Sequence, residues 1–143
     1  MKRGVCFDDV LLEPLYSDIR SRKEVSLDSK INLNGKEETL SLPVFSAPMD
    51  KVTEDVMAVM LGKCGGFGII HRYNSIEEQC ELVKNASHHG FVGAAVGVTD
   101  DFLERTSALV DSGVSMICLD VAHGHHIMVK EALIKIKSDF SNS

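Results

Sequence analysis

The segment Asp120–His126, which reads Asp-Val-Ala-His-Gly-His-His, carries the densest cluster of chemically active side chains. His123 and His125 could converge on a metal ion with Asp120 as a third ligand, because imidazoles and carboxylates are common metal ligands. However, no carboxylate at helical spacing completes such a site. We predict a loop without a metal that binds an organic ligand through hydrogen bonds, and the metal site stays open as the alternative.

Three other polar clusters follow short apolar runs: Ala47-Pro48-Met49-Asp50, Ile70-His71-Arg72-Tyr73 and Gly97-Val98-Thr99-Asp100. Met49, beside Asp50, could press against a flat ligand or fill a gap in the core, as methionine often does. Clusters of this kind mark either a binding site or the points where buried strands emerge into solvent. The residues alone leave both interpretations open.

The chain has four cysteines, at positions 6, 64, 80 and 118. They form no C-x-x-C pair and match no zinc-site spacing. Cys64, Cys80 and Cys118 each lie in an apolar or periodic run, which predicts buried, reduced thiols. None lies in the basic, partly exposed setting that activates a thiol.

The polar clusters are positioned by apolar runs that begin about 24 residues apart, at Val44, Phe67, Val92 and Ser115. Each run precedes a segment of helical periodicity, at 54–64, 75–87, 101–112 and 129–140. We expect two of these segments to bury the following apolar faces: Val56, Met57, Met60, Leu61 and Cys64 in the first, and Val129, Leu133, Ile136 and Phe140 in the last.

Capping signals mark the ends of these helices. Ser75-x-x-Glu78 has the spacing of a capping box, and Asp101-x-x-Glu104 stands at the start of the next helix. Gly65, Gly90 and Gly113 follow the first three helices, where a left-handed residue commonly ends a helix. Because the run Gly65–Gly68 precedes a strand, we interpret it as a helix end and a tight strand entry, not as a phosphate loop.

Apolar strands separated by helices predict a parallel sheet with both faces covered. An open doubly wound sheet and part of a (β/α)₈ barrel both fit. A whole barrel needs ~250 residues, so the 143-residue chain suggests the first four βα units of a TIM-type barrel, residues 44–143. Residues 1–43 lack helical periodicity. Weak alternation at 24–27 and 31–33 predicts an extended arm with a hairpin that turns at Asn34-Gly35.

The composition is that of a single globular domain, with 44% hydrophobic and 25% charged residues. A formal net charge of −6 without a basic run argues against nucleic acid as a partner. No apolar stretch approaches the ~18 residues of a membrane span. The first ten residues lack the apolar core of a secretory signal, so we expect a cytoplasmic protein.

Five segments occur here in the order of one known family: Phe7-Asp8-Asp9-Val10-Leu11-Leu12-x-Pro14, SAPMDKVTE from Ser46, GGFGIIHRYNSIEEQ from Gly65, VGAAVGV from Val92 and LDVAHGH from Leu119. Over nearly its whole length, the chain therefore resembles the inosine-monophosphate dehydrogenase and guanosine-monophosphate reductase family. The resemblance implies a (β/α)₈ barrel, usually a homotetramer. It also implies oxidation of inosine monophosphate (IMP) with NAD, or reduction of guanosine monophosphate (GMP) with NADPH, through attack by a cysteine.

By position, the resemblance implies that four residues lie beside the purine nucleotide: Ser46, Ala47, Met49 and Asp50. It implies that Arg72 faces the cofactor and that Asp120 bonds the nicotinamide-side ribose or carboxamide. The wall of the cofactor pocket would then comprise Val121, Ala122, His123 and Gly124. Departures from the family pattern are Lys51, Val121 and His126, of which Val121 removes a hydroxyl near the cofactor.

The family's catalytic cysteine follows the sixth strand, so we expect it outside this chain, together with the site of the monovalent cation that the family can bind. Between Gln79 and Val92 there is no room for the regulatory domains that many dehydrogenases insert. We therefore expect the N-terminal half of a purine-nucleotide oxidoreductase that is inactive alone. The alternative is a nucleotide-binding or regulatory half that assembles with another chain, and the choice between dehydrogenase and reductase stays open.

Overall fold

The computed structural model describes residues 4–33 and 35–140. Two short 3₁₀ turns, Phe7–Asp9 and Arg22–Glu24, lie in an N-terminal arm whose residues 4–28 are all exposed. The remaining elements, in chain order, are β1 (Ser29–Leu33), β2 (Lys36–Leu40), α1 (Asp55–Lys63), β3 (Ile69–Ile70), α2 (Ile76–Ser87), β4 (Gly93–Val96), α3 (Phe102–Asp111), β5 (Met116–Leu119) and α4 (Ile127–Phe140).

The second half of the chain forms a parallel sheet in the order β3-β4-β5, with a helix after each strand. This confirms the predicted alternation of strands and helices and the parallel pairing. Within the described residues the strands form an open sheet and not a closed barrel. None of the helices in these ranges has the length and hydropathy that a membrane-spanning helix requires.

The first predicted strand, at 44–47, is reduced to a single parallel bridge between Phe45 and Phe67. The main-chain N–H of Phe67 donates to the carbonyl of Val44 at 2.9 Å, and that of Ser46 donates to the carbonyl of Phe67 at 3.0 Å. Prolines at positions 43 and 48 flank this segment. Because Pro48 has no N–H to donate, the pairing ends after Ser46, and before Phe45 the N–H of Val44 turns away to the carbonyl of Leu42.

The two faces of the sheet have separate cores. One face packs against the helices through the following buried residues: Ala58, Ile70, Val83, Val92, Ala94, Val96 and Leu109. On the other face the hairpin β1–β2 supplies Leu33 and Leu40, which pack against Phe67, Ile69 and Ala95. The hairpin is therefore part of the folded body and covers the sheet face that the helices leave open.

The strands of the hairpin are joined at the predicted place, since Leu33 pairs with Lys36. Gly35 has φ 78°, while Asn34 lies outside the described residues. Residues 24–27 form no strand, although their weak alternation favoured an extended segment, and β1 pairs with Lys36–Leu40. That segment reads KEETL and was missed because its charged residues hide the alternation that buries Leu40.

Helix α1 turns its apolar stripe away from the core, contrary to prediction. Val56, Met57 and Met60 are 72%, 46% and 53% exposed, and Ala58 is the buried residue of this helix. The helix lies so close to the sheet that a Cβ on Gly68 would fall far inside van der Waals contact with Ala58. Because Ala58 is small, the face of α1 that carries it can approach the sheet most closely and becomes the buried face.

Several local predictions also have clear outcomes. Ser75 and Glu78 form the predicted capping box, whereas the Asp101 side chain makes no cap hydrogen bond and pairs with Arg105.

The predicted burial of three cysteines is correct for two of them. Cys80 is buried and Cys118 is half-buried, whereas Cys64 is exposed, as is Cys6. Leu133 of α4 is likewise exposed, and α3 is the helix against which α4 packs.

Candidate functional site

The polar clusters singled out from the sequence meet at one edge of the sheet. The loops after β3, β4 and β5 begin at His71, Gly97 and Asp120, and the turn at residues 47–50 follows the bridge at Phe45. Because parallel strands end at the same side, these loops share what we call the carboxyl edge. Ligand sites of parallel α/β folds lie at this edge.

Arg72 and Asp120 form an ion pair across this edge. Arg72 Nε donates to Asp120 Oδ2 at 3.3 Å, and Arg72 Nη2 donates to the main-chain carbonyl of Asp120 at 3.3 Å. The arginine side chain spans β4 at Gly97, where a Cβ would stand 3.5 Å from Nη1. The guanidinium carbon also lies 5.5 Å from the centre of the Tyr73 ring. Two residues predicted to contact a cofactor are thus brought together.

The rest of the predicted cofactor wall continues from Asp120 into α4. Val121 is half-buried, and the residues from Ala122 to His126 are exposed. The carbonyl of His126 accepts from Val129 N–H at 3.1 Å, so this histidine forms part of the helix start. Among the described residues, the potential ligand atoms of His123, His125 and Asp120 do not lie together in one cluster.

The predicted substrate residues form a tight turn. Ser46 Oγ accepts from Ile69 N–H at 3.0 Å, so its side chain continues the strand pairing. The carbonyl of Ala47 accepts from Thr53 Oγ at 2.7 Å, and Thr53 is fully buried. Met49 is 56% exposed, so it does not fill the core. Thr53, which the sequence interpretation missed, therefore holds the turn that presents Met49 at the surface.

The side chain of Asp50 lies near the loop after β3. Its Oδ1 lies 4.0 Å from His71 Nε2, and Glu54 Oε1 lies 3.7 Å from the same nitrogen. These three residues are the group of potential metal ligands found among the described residues. The sequence interpretation did not anticipate this cluster, because Asp50 and His71 are far apart in the chain.

A buried polar network supports the loop that carries Arg72. Gln79 Nε2 donates to the carbonyl of Ala95 at 2.8 Å, beyond the point where β3 has ended. Arg105 Nη1 donates to Gln79 Oε1 at 2.9 Å, and its Nη2 donates to Asp101 Oδ2 at 2.7 Å and to the carbonyl of Asn74 at 3.2 Å. These bonds fix the loop after β3 against α2 and α3. The only sign of this network in the sequence is Gln79 itself, a polar residue on the apolar face of α2.

Cys118 lies in β5, two residues before Asp120, and packs against the cluster beneath the hairpin. Burial, and secondarily the negative charge of Asp120, raise the pKa of the Cys118 thiol. The thiol is therefore held in its protonated form, which is a poor nucleophile. This agrees with the prediction that Cys118 belongs to the core.

Comparison with known proteins points to one family. A family model described as the IMP dehydrogenase / GMP reductase domain matches residues 4–143. The inosine-5'-monophosphate dehydrogenase of Cryptosporidium parvum is 34% identical over 95% of this chain and 44% of that protein. The corresponding enzyme of Borreliella burgdorferi is 31% identical over 99% of this chain and 46% of its own length.

A GMP reductase from Leishmania donovani is 43% identical over 59% of this chain and 16% of that protein. The chain thus spans about half the length of the two dehydrogenases that it matches throughout. Both branches of the family are represented among these relatives. With the family model matching all but the first three residues, the chain belongs to the IMP dehydrogenase/GMP reductase family of oxidoreductases.

Proposed function

We propose that this chain supplies the N-terminal half of an NAD- or NADP-dependent purine-nucleotide oxidoreductase. In this proposal, residues 44–143 are four βα units of a TIM-type barrel and residues 1–43 are an arm with a hairpin. The observation that carries the proposal is the ion pair between Arg72 and Asp120 at the carboxyl edge. It joins a guanidinium donor and a carboxylate acceptor in a family whose relatives are named IMP dehydrogenase and GMP reductase.

The donor set suits a nicotinamide cofactor, which would accept or donate the hydride when bound. The Asp120 side chain is 27% exposed and shares one carboxylate oxygen with Arg72, so it retains acceptor capacity for a ribose hydroxyl or a carboxamide N–H. Arg72 holds that carboxylate in place. The remaining wall of the pocket would be formed by Val121, Ala122, His123 and Gly124.

The purine nucleotide, IMP or GMP, would lie against the turn at residues 46–50. Exposed Met49 offers a polarisable apolar surface for a flat purine ring. The Ser46 hydroxyl keeps its own proton while accepting from Ile69, so it can still donate to the ligand. The small side chain of Ala47 would leave space for the nucleotide above the turn, and Asp50 would lie beside the nucleotide in the same turn. We infer that these residues orient the base toward the cofactor.

A second candidate is a nucleotide-binding or regulatory half that is inactive itself and assembles with a complementary chain or with copies of itself, as in a tetramer. The exposed apolar residues of α1 favour such assembly, because a large exposed apolar patch usually marks a contact surface. A cytoplasmic location stays a prediction in both cases.

Steady-state assays of IMP oxidation with NAD and of GMP reduction with NADPH test the proposal. We expect no turnover by the purified protein and turnover after addition of the C-terminal half of a related enzyme. Asp120→Ala should then depress the rate strongly, while Cys118→Ser should change it little. Turnover without the added half that Cys118→Ser abolishes would refute the proposal, as would failure to bind any of these nucleotides.

A further inference from the structure

An acidic pocket lies between α1, α2 and the loop after β3, apart from the ion pair of Arg72 and Asp120. Its volume is about 340 Å³, and its lining includes four carboxylates and two other polar side chains: Asp50, Glu54, Glu78, Glu81, His71 and Asn74. None of the described residues that line it is lysine or arginine. Four negative groups around one cavity favour a positively charged occupant.

Two buried polar atoms in the lining of this pocket have no hydrogen-bond partner in the part of the chain that the structure describes. The His71 side chain is only 4% exposed, and its Nε2 stands 3.7 Å from Glu54 and 4.0 Å from Asp50, beyond hydrogen-bond distance. The side-chain oxygen of Asn74 is also buried and unpaired. Because burying an unsatisfied polar atom costs ~1–3 kcal/mol, these atoms indicate a ligand that completes the site.

The proton on His71 determines which kind of cation fits. The main-chain N–H of Tyr73 donates to His71 Nδ1 at 3.1 Å, so the lone pair of that nitrogen is already used. A ring with one proton therefore carries it on Nε2, which becomes a donor directed at the carboxylates. A metal ion would need the lone pair of Nε2, and so the Tyr73 hydrogen bond disfavours a metal in this cluster.

The neighbouring positive side chains are already engaged elsewhere. Arg72 pairs with Asp120, and Arg105 pairs with Asp101. Among residues 4–33 and 35–140, no lysine or arginine forms an ion pair with the pocket carboxylates, and no donor reaches the oxygen of Asn74. A cation that carries several N–H groups would satisfy both needs, because it supplies positive charge to the carboxylates and a donor to the Asn74 oxygen.

We propose that this pocket binds a guanidinium or alkylammonium group. Asp50 and Glu54 accept its N–H groups, for which the planar fork of a guanidinium is best shaped. Neutralising the two carboxylates lets Glu54 close the 3.7 Å gap and accept from His71 Nε2 as well. The group belongs either to a small free cation or to an arginine of a second copy, and Arg20 and Arg22 lie on the exposed arm.

Calorimetric titration of the purified protein with agmatine, which carries both a guanidinium and an ammonium group, tests the proposal. The isosteric double variant Asp50→Asn/Glu54→Gln should bind agmatine at least about tenfold more weakly, because charge-assisted hydrogen bonds are lost. Glu104→Gln removes an exposed carboxylate of α3 outside the pocket and should bind as the parent does. Thermal unfolding verifies that each variant is folded, and Glu54→Gln alone replaces the double variant if that one does not fold.

Sedimentation separates the two sources of the cation. An arginine of a second copy predicts self-association that the double variant weakens and that agmatine competes away, whereas a free cation predicts agmatine binding without any effect on association. Equal agmatine affinity of the parent and the double variant would refute the proposal. So would tighter binding of Zn²⁺ than of agmatine that His71→Gln abolishes, since the cluster would then be a metal site. Because Asp120 lies outside this pocket, Asp120→Ala should leave agmatine binding unchanged. The proposal for the pocket can therefore fail or succeed independently of the proposed function, which the same variant tests.

Discussion

Arg72 reaches across the full width of β4 to donate to Asp120, with Nε and Oδ2 3.3 Å apart. The two residues follow β3 and β5, which are not adjacent in the sheet. Gly97, at the end of β4, lies beneath the guanidinium: a Cβ there would make an ordinary contact of 3.5 Å with Arg72 Nη1, so only a larger side chain would crowd the arginine. The small residue at position 97 therefore leaves the path open along which Arg72 reaches Asp120.

Replacing Gly97 should uncouple this ion pair. Gly97→Val places a branched side chain under the guanidinium, and we expect it to weaken binding of the nicotinamide cofactor about tenfold, because Asp120 is no longer held in place. Gly97→Ala is the matched control, since its Cβ would make an ordinary contact of 3.5 Å with Arg72 Nη1. Titration with NAD and NADPH measures the effect, and equal affinities of both variants and the parent would contradict the role given to Gly97.

Two glycines near α1 should respond to alanine in opposite directions. Gly68→Ala forces a methyl group into the backbone of α1 at Ala58, so we expect a loss of ~1–3 kcal/mol in the free energy of unfolding. Gly62 lies within α1 with open space around it, so Gly62→Ala should stabilise the protein by ~0.5–1 kcal/mol. Urea unfolding measures both, and a neutral Gly68→Ala would show that α1 packs less closely than described.

The buried amide of Gln79 should be more important for stability than any exposed polar side chain of α2. Gln79→Ala removes the side-chain donor to the Ala95 carbonyl and the acceptor that Arg105 Nη1 contacts at 2.9 Å, and it creates a cavity, with an expected cost of ~2–4 kcal/mol. Exposed Lys84→Gln on the same helix should change stability by less than ~0.5 kcal/mol. Thermal unfolding of the two variants measures this difference. Equal stability of both would show that the hydrogen bonds of Gln79 are dispensable.

The cysteines should differ in their reaction with iodoacetamide near pH 8. Exposed Cys6 and Cys64 should be alkylated quickly and Cys118 slowly, because burial, and then the charge of Asp120, raise the pKa of the Cys118 thiol. Asp120→Asn removes the second cause and should accelerate alkylation of Cys118, which mass spectrometry of peptides resolves. Rapid modification of Cys118 in the parent would contradict its place in the core.

The raised pKa of Cys118 also predicts how stability depends on pH. The folded state binds the thiol proton more tightly than the unfolded state, whose thiol has the ordinary value of 9.0. Stability is therefore unaffected by this group below that pH and decreases as the pH rises above it. Cys118→Ser should remove this part of the alkaline decrease, as measured by urea unfolding at a series of pH values.

The exposed apolar stripe of α1 should promote self-association. Because Val56, Met57 and Met60 present a continuous apolar surface, we expect sedimentation to show dimers or larger species at micromolar concentrations. Met57→Glu/Met60→Glu should shift the protein toward the monomer. Lys63→Glu, a charge change at the end of the same helix, should not. A parent protein that stays monomeric would show that the open sheet and its helices need no partner.

Local patterns in the sequence were sufficient to predict the parallel sheet, the four helices and the Ser75–Glu78 capping box. These features depend on interactions between residues a few positions apart, so spacing and residue type carry the information. The resemblance placed Arg72 and Asp120 at one site, and the structure brings them into contact. Whether they bind a cofactor stays a prediction.

The tertiary structure alone decided which face of α1 is buried, where the first strand ends, and which groups Asp50, His71, Gln79 and Arg105 meet. A hydrophobic stripe does not reveal that a smaller residue, Ala58, allows closer approach to Gly68. Nor does spacing reveal that Gln79 replaces a missing strand hydrogen bond at Ala95. These relationships join residues far apart in the chain, and they exist only once close packing has selected a single arrangement of the helices on the sheet.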